Sequence, residues 1–398
     1  MINKNAIIVF LASLFALVVA TTSYMFVSSK SILLKTNLTC NFRQTVYLKD
    51  FIYKLDGTLK NNYQIDTTKV GTQRLRAIYQ DKHGFYKVKT FTINVKDITP
   101  PTILVTDTYT VEKNSKKKLE DEILCADDYD DNVKCSILGK YNLKKVGTYN
   151  LKITATDFSK NNTTKEFTLN VVAKESNTQN QTDNTSFVDY NDVYKKYKTN
   201  KTEIGIDISK WQKKIDFNKL KASGVEFVIL KIGGQKELNG KTIMDPKFKK
   251  NIEAATKANL KIGLYFYSYA KSPQEAKNQA RFIIKEIRKS NYKIDLPIAF
   301  DWENWLEYNK FNISFNSLNN IAKSFIKEIN SSGYQATLYS SEYYLDTIWF
   351  AEDYDNIWVA NYGNLTHKPK YKLWQMCSDG KVDGINNYVD IDILYKDN

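Results

Sequence analysis

The segment Leu296-Pro297-Ile298-Ala299-Phe300-Asp301-Trp302-Glu303-Asn304-Trp305 sets two carboxylates two residues apart behind a short apolar run. Alternate residues of an extended chain project to the same side, so Asp301 and Glu303 present their carboxyl groups together, with Cβ atoms roughly 6–7 Å apart. A pair at that range suits cleavage of a glycosidic bond. One carboxyl, protonated, serves the leaving oxygen, and the other, ionised, faces the positive charge that develops on the sugar. Trp302 and Trp305 are candidates for apolar walls that separate the two pKa values, or for a surface on which sugar rings stack. Taken alone, an Asp-x-Glu pair is also what a strand end followed by a solvated acidic turn contains.

The rest of the composition leaves few competing chemistries. Only His83 and His367 are histidines, and neither a Cys-x-x-Cys pair nor a P-loop string occurs. This disfavours histidine-rich zinc enzymes, zinc ribbons and P-loop NTPases, and a serine triad would depend on one of two histidines. Neither a metal nor a cofactor is expected. The 58 basic residues exceed the 44 acidic ones, for a net charge of +14, but they form no dense block with interleaved aromatics. No nucleic-acid partner is expected from that pattern, whereas an exported basic protein is matched to an anionic cell envelope. Hydrophobic residues at 42% and aromatics at 13% exclude a wholly disordered chain.

The elements that would position the carboxylates are legible as eight apolar runs. They are Ile204–Ile208, Phe227–Ile232, Ile262–Phe266, Ile298–Phe300, Ala336–Tyr339, Ile357–Val359, Tyr371–Gln375 and Val389–Ile393. Helical patterns at Phe217–Ala222, Phe248–Ala258, Pro273–Arg288 and Ser317–Asn330 separate several of them. Apolar strands alternating with helices predict a parallel sheet buried on both faces, and eight units predict a small or irregular (β/α)8-like barrel. Polar residues fall at the ends of the runs: Asp207, Lys231, Tyr265 and Tyr267, Asp301 to Glu303, Tyr339, Trp358 and Asn361, Gln375, and Asp390 within the eighth. In a parallel barrel these ends converge on the face where barrels carry their chemistry.

The strings GIDISKWQKKIDFNKLKASGVEFVILKIGG, KIGLYFYSYAKSPQEAKNQARFIIKEI, LPIAFDWEN, IWVANYG and YKLWQMCSDGKVDGINNYVDIDIL, in this order over residues 203–395, resemble glycoside hydrolase family 25, the Chalaropsis-type lysozymes. The resemblance implies cleavage of the β-1,4 bond between N-acetylmuramic acid and N-acetylglucosamine in peptidoglycan. It implies Glu303 as general acid, Asp301 as the group that stabilises charge on a substrate whose N-acetyl group is the internal nucleophile, and Asp207 on the cleft floor. Asp390 matches the acidic residue of the last strand, and Tyr265, Tyr267, Tyr339, Trp358 and Gln375 are expected to line the sugar groove. Two positions depart from the family pattern. Lys231-Ile232-Gly233-Gly234-Gln235 lacks the glutamate of the usual Lys-x-Ser/Thr-Glu-Gly string, and Phe266 stands where a histidine is often found.

The first half of the chain reads differently. Lys69–Val95 aligns without gaps with Lys145–Val171 at an offset of 76 residues, sharing Lys-Val-Gly-Thr and a closing Phe-Thr-x-Asn-Val. Period-two alternation with a turn at Asp157–Asn162 predicts hairpins, and the strings VGTYNLKITATD and KDITPP resemble bacterial immunoglobulin-like repeats. Ala6–Val27 is 22 residues without charge, about 33 Å as a helix, which predicts a membrane anchor or, with cleavage near Ala20, a signal peptide. The expected organisation is therefore a multidomain chain: 1–30 signal anchor, a transmembrane helix, or signal peptide; 31–98 and 99–173 two all-β immunoglobulin-like sandwiches acting as spacers; 174–200 a polar linker; 201–398 the barrel. Asp127-Asp128-Asp130-Asp131 reads as a solvated loop or a calcium site, and Cys125 and Cys135 around it are positioned for a disulfide in an exported chain.

The function expected is an exported muramidase, held at the cell membrane with its catalytic domain outside or secreted to the cell wall, whose partners are peptidoglycan glycan strands and the bacterial membrane. The alternatives are an endo-N-acetylglucosaminidase or chitinase-like barrel, and a catalytically silent wall-binding or adhesion protein.

Overall fold

The structure, a computed structural model, describes residues 11–19, 31–116, 118–173, 187–235, 240–303 and 313–396. It divides into two units, Met1–Thr99 and Pro100–Asn398. Of the Ala6–Val27 stretch, residues 11–19 are helical and the remainder lies outside the described residues. No helix among the described residues is long and apolar enough to cross a membrane.

The first unit contains a two-layer β fold. β2 (Thr39–Asn41), β6 (Tyr86–Lys96), β5 (Gly71–Asp81) and β4 (Gly57–Leu59) form one sheet in that order, and β1 (Ile32–Leu34) pairs with β3 (Ile52–Leu55) in the other. Alternation buries Leu75, Ala77 and Tyr79 of β5 against Phe91, Ile93 and Val95 of β6. The turn between them is fixed by Asp81, whose Oδ1 accepts from the His83 and Phe85 amides at 2.9 and 3.0 Å, and by Gly84 at φ +87°.

The second unit begins with the same design. β10 (Lys134–Leu138), β11 (Gly147–Thr156), β12 (Asn162–Val172) and β8 (Thr108–Glu112) form a four-stranded sheet, and β7 (Thr102–Leu104) pairs with β9 (Leu124–Ala126). Leu151, Ile153 and Ala155 face Phe167, Leu169 and Val171, and Asp157 accepts from the Asn161 amide at 2.7 Å in the turn. The repeated sequence is thus a repeated hairpin. Cys125 and Cys135 are joined as a disulfide with Cα atoms 6.1 Å apart, while Cys40 and Cys377 are free and buried. The acidic segment they flank is not a solvated loop. Asp127 is buried, its Oδ1 accepting from the Tyr129 and Asp130 amides at 2.8 Å, and Asp130 Oδ2 accepts from the Ser159 amide at 2.9 Å.

The rest of the second unit is a closed sheet of eight strands: β14 (Thr202–Ile208), β15 (Phe227–Gln235), β17 (Lys261–Tyr267), β18 (Ile298–Asp301), β19 (Ala336–Ser341), β20 (Ile357–Ala360), β21 (Tyr371–Lys381) and β22 (Val389–Tyr395). Two short strands flank it, β13 (Val188–Asp189) on β21 and β16 (Thr242–Met244) on β15. The reading of eight parallel strands is corrected at the last one. β22 is antiparallel to both β21 and β14, so its beginning, not its end, lies at the end of the barrel where the other strands finish.

Helices α1 (Tyr190–Tyr197), α2 (Phe217–Ala222), α3 (Phe248–Lys257), α4 (Pro273–Ser290), α5 (Phe315–Ser331) and α6 (Glu342–Thr347) accompany the strands. α4 shows why such segments are helical. Ser272 caps its start by accepting from the Glu275 amide, Pro273 occupies the first turn, and Asn291 ends it in the left-handed region. Its buried face is Ala276, Ala280, Ile283, Ile284 and Ile287, at helical spacing. The strands answer with alternate residues. Ile204, Ile206 and Ile208 of β14 join the helix-facing core, whereas Phe227, Ile229, Ala299 and Leu373 fill the barrel interior. Gly205 is required there, because a Cβ at that position would stand 2.5 Å from the Phe227 ring.

The linker read as 174–200 is shorter than that. Residues 188–197 form β13 and α1, and Tyr190 is buried with its hydroxyl donating to the Ile204 and Gly224 carbonyls at 3.1 Å. Composition misled because α1 has one apolar face on an otherwise Lys- and Asn-rich stretch. All six tryptophans lie beyond residue 200, so their fluorescence reports the barrel. Tyr190→Ala is expected to lower barrel stability by about 3–5 kcal/mol in urea unfolding; a change within about 0.5 kcal/mol would return these residues to the linker.

Candidate active site

Asp207 closes β14 and stands opposite Asp390 at the start of β22. Asp301 is the last residue of β18, and Glu303 follows two positions on. These four carboxylates line one cavity of about 200 Å³ with Tyr265, Tyr339, Trp358, Tyr362 and Gln375. Eight of the nine residues expected at the site are therefore brought together. The ninth, Tyr267, stands beside Lys231, whose ammonium lies 4.6 Å from its ring and 5.4 Å from that of Tyr265.

A hydrogen-bond chain fixes the floor. Gln375 Nε2 donates to Asp207 Oδ2 at 2.7 Å, and Gln375 Oε1 accepts from the hydroxyls of Tyr339 at 2.8 Å and Tyr362 at 3.1 Å. The amide group of Gln375 is oriented by its three partners, which in turn holds the Asp207 carboxyl. Trp358 Nε1 donates to Asp392 Oδ1 at 2.8 Å, and its ring packs 4.6 Å from that of Tyr339.

At this end of the barrel the pKa values of Asp207, Asp301, Asp390 and Asp392 are all raised. Burial raises the pKa of Asp207, with further increases from Asp390 and Asp392, against the Gln375 hydrogen bond that lowers it. Burial likewise raises Asp301, followed by the charge and hydrogen bond of Glu303, with Lys231 opposing. Asp392 is raised by burial and by Asp390, and Asp390 is pushed up to about 6, again chiefly by burial. Low dielectric and like charges both favour the neutral acid. Asp301 Oδ1 is buried with no hydrogen-bond donor among the described residues.

One expectation from the sequence changes here. Trp302 is buried outside the barrel wall, 5.9 Å from Trp349 and 6.1 Å from Tyr344 between ring centroids, so it offers no surface to a sugar. Its neighbours Asp301 and Glu303 face the cavity, and strand alternation sends the residue between them the other way. Trp305 lies outside the described residues. The departures at Gly234 and Phe266 are structural: a Cβ at Gly234 would meet the Tyr267 carbonyl oxygen at 2.8 Å, and Phe266 is a buried helix-facing residue against Phe282 and Phe325. Asp392 and Tyr362 were missed. Asp390-Ile391-Asp392 has the same i, i+2 spacing as Asp301-Trp302-Glu303, which could have signalled the first; Tyr362 follows its strand in a loop and carries no periodic signal.

A mouth of buried carboxylates and aromatic rings on a closed β/α sheet defines a barrel of the glycoside-hydrolase kind. Residues 206–385, within the barrel, match the family described as glycosyl hydrolases family 25. Among curated proteins the chain is similar to an autolytic lysozyme of Clostridium acetobutylicum, 31% identical over 193 residues, covering 47% of this chain and 54% of that protein. It is also similar to the uncharacterized protein YegX of Escherichia coli K12, 27% identical over 199 residues, covering 48% of this chain and 68% of that one. The chain thus spans about half the length of the Clostridium lysozyme. Among solved structures, the modular autolysin LytC from Streptococcus pneumoniae aligns at 26% identity with a TM-score of 0.45, covering 61% of this chain and 56% of that one. A family 25 glycosyl hydrolase from Bacillus anthracis aligns at 19% identity with a TM-score of 0.42, covering 50% and 92%.

The raised Asp390 sets a pH dependence. Between its ordinary value near 3.8 and its folded value of about 6, the folded chain holds a proton that the unfolded chain has lost. This contribution to stability is present below about pH 4 and is lost as the pH rises through 6. Asp390→Asn is expected to flatten that decline and to stabilise the barrel at pH 7 by roughly 1–3 kcal/mol. Urea midpoints from pH 4 to 7 provide the check, and an unchanged slope would contradict the assignment.

Proposed function

We propose that the chain is an exported peptidoglycan hydrolase, an N-acetylmuramidase that cleaves the β-1,4 bond between N-acetylmuramic acid and N-acetylglucosamine. The observation that carries this reading is the convergence of Asp207, Asp301, Glu303 and Asp390 on one cavity of a barrel whose residues 206–385 match family 25. The similarity to family 25 favours a route in which the attacking group belongs to the substrate. The substrate then supplies the nucleophile. Its 2-acetamido oxygen attacks C1 as the C1–O bond to the leaving sugar breaks, and Glu303 transfers its proton to that oxygen. Asp301 Oδ1 accepts from the acetamido N–H, and the carboxylate offsets the positive charge of the cyclic intermediate. Water then adds at C1 and yields its proton to Glu303, which restores the acid. Asp207 and Asp390 bound the floor, and Tyr265, Tyr267, Tyr339, Trp358 and Gln375 flank the sugar. The name of the Clostridium relative, an autolytic lysozyme, points to the same substrate.

Incubation of the full chain with purified peptidoglycan is expected to release new N-acetylmuramic acid reducing ends, and Glu303→Gln to slow that release by about 10²–10⁴-fold. New N-acetylglucosamine ends would make the enzyme a glucosaminidase. Full activity in the Glu303→Gln chain would remove the acid from its role.

The two β units serve as spacers that hold the barrel away from a membrane entered by the apolar stretch Ala6–Val27. With a retained anchor the protein is recovered in the membrane fraction of expressing cells. A soluble mature form beginning near Thr21 in the culture fluid would replace the anchor with a cleaved signal peptide.

A further inference from the structure

The second β unit is bound to the barrel by more than chain connectivity. Leu104 at the end of β7, with Leu124 and Ala126 of β9, is buried in the same apolar cluster as the helix-facing side of the barrel. Beside this contact the Asp127 and Asp128 carbonyls accept from the Phe315 and Asn316 amides at 2.8 and 3.0 Å, and Asp131 Oδ1 accepts from the Ser314 amide and, at 3.2 Å, from the Ser317 hydroxyl. The segment after β7 is itself held, since Lys165 Nζ donates to the Val105 carbonyl at 2.8 Å.

This docking places Leu104, Val105 and Thr106 on one wall of a cavity of about 520 Å³ whose other wall includes Glu303, Tyr339 and Tyr362. Those three also line the carboxylate cavity, so the two spaces adjoin at Glu303. Its volume lies within the roughly 300–1,000 Å³ of ordinary ligand sites. Tyr343 and Tyr362 stand 58% and 60% exposed there. Glu303 is the only charged side chain among the described residues on its walls; the rest are aromatic rings, small apolar groups and hydroxyls. Such a lining suits uncharged sugar rings, whose C–H faces pack on aromatics while their hydroxyls meet polar groups.

We propose that Val105 and Thr106 of the second β unit form one wall of the glycan groove, so that this unit binds sugar rings of a β-1,4-linked N-acetylhexosamine chain beyond the bond next to Glu303. This rests on the reading of the barrel as a peptidoglycan hydrolase and gives the β unit a part in substrate binding besides spacing.

The test is calorimetric titration of the full chain carrying Glu303→Gln with β-1,4-linked N-acetylglucosamine oligomers of increasing length. Affinity is expected to rise at least tenfold between the trimer and the hexamer. Adding Thr106→Trp, which fills the groove, or Val105→Asp, which puts a charge into it, is expected to cut that gain to less than twofold, with trimer affinity and the urea midpoint retained. A length dependence unchanged by both substitutions overturns the proposal, as does an equal loss at every length or the absence of binding. Length-dependent binding by a wild-type chain that releases no reducing ends from peptidoglycan would leave the groove standing and remove the hydrolase reading instead.

Discussion

The burial of acids at one end of an apolar barrel is the constraint to which the surrounding structure answers. Asp207, Asp301 and Asp392 are buried beside Asp390 and Glu303, and below them the interior is filled by Phe227, Ile229, Ala299 and Leu373. An ionised carboxylate taken out of water costs several kcal/mol unless it is paired or hydrogen-bonded. The observed solution is mixed. Burial and like charge hold Asp207, Asp301 and Asp392 well above the usual carboxylate range, and Gln375 and Trp358 donate to Asp207 and Asp392. Opposite charge is scarce by comparison, with Lys231 facing Tyr265 and Tyr267 and opposing the rise at Asp301.

Holding such a cluster takes a scaffold that does not relax around it, and the reversed last strand is central to this. With β22 antiparallel, Asp390 falls opposite Asp207 and Asp392 opposite Gly205, so both acids of the last strand lie at the Asp207 end of the first. A parallel β22 would have carried them toward the other end of the barrel. Gly205 then matters twice: it leaves space for the Phe227 ring inside, and it stands where the Asp392 backbone pairs across. At the opposite end Glu203 is tied to Lys261 at 2.6 Å and to Lys396 at 3.1 Å. Acids meet cations there, at the end of the barrel away from the cavity.

Much of this was legible because periodicity is a local property. The apolar runs, the i, i+2 pair Asp301 and Glu303, the repeated hairpin and its turn all follow from spacings of two to four residues. The family strings added the identity of the other wall residues. What escaped depends on a partner distant in sequence. Whether Trp302 faces sugar or core is settled by Trp349 and Tyr344, and Tyr190 is a core residue because carbonyls at Ile204 and Gly224 receive its hydroxyl. The direction of β22 likewise depends on how the chain returns after Lys381, which no run of residues encodes. The acidic segment Asp127–Asp131 reads as solvated for the same reason: its acceptors meet amides nearly two hundred positions away.

That last contact bears on how the two parts of the second unit act together. The first amides of a helix have no partner within it. In α5 those of Phe315 and Asn316 donate to carbonyls of the β unit, and Ser314, which caps the helix, donates to Asp131. The β unit therefore completes the start of α5. The same helix packs through Phe325 on Phe266 and Phe300, in the shell behind the strand that ends at Asp301. Ten residues, 304–313, separate Glu303 from Ser314, whose amide donates to the β unit. A module that only set distance would need neither bond. The contacts at the start of α5 and the cavity lined by both Leu104–Thr106 and Glu303 couple the β unit to the barrel at two places.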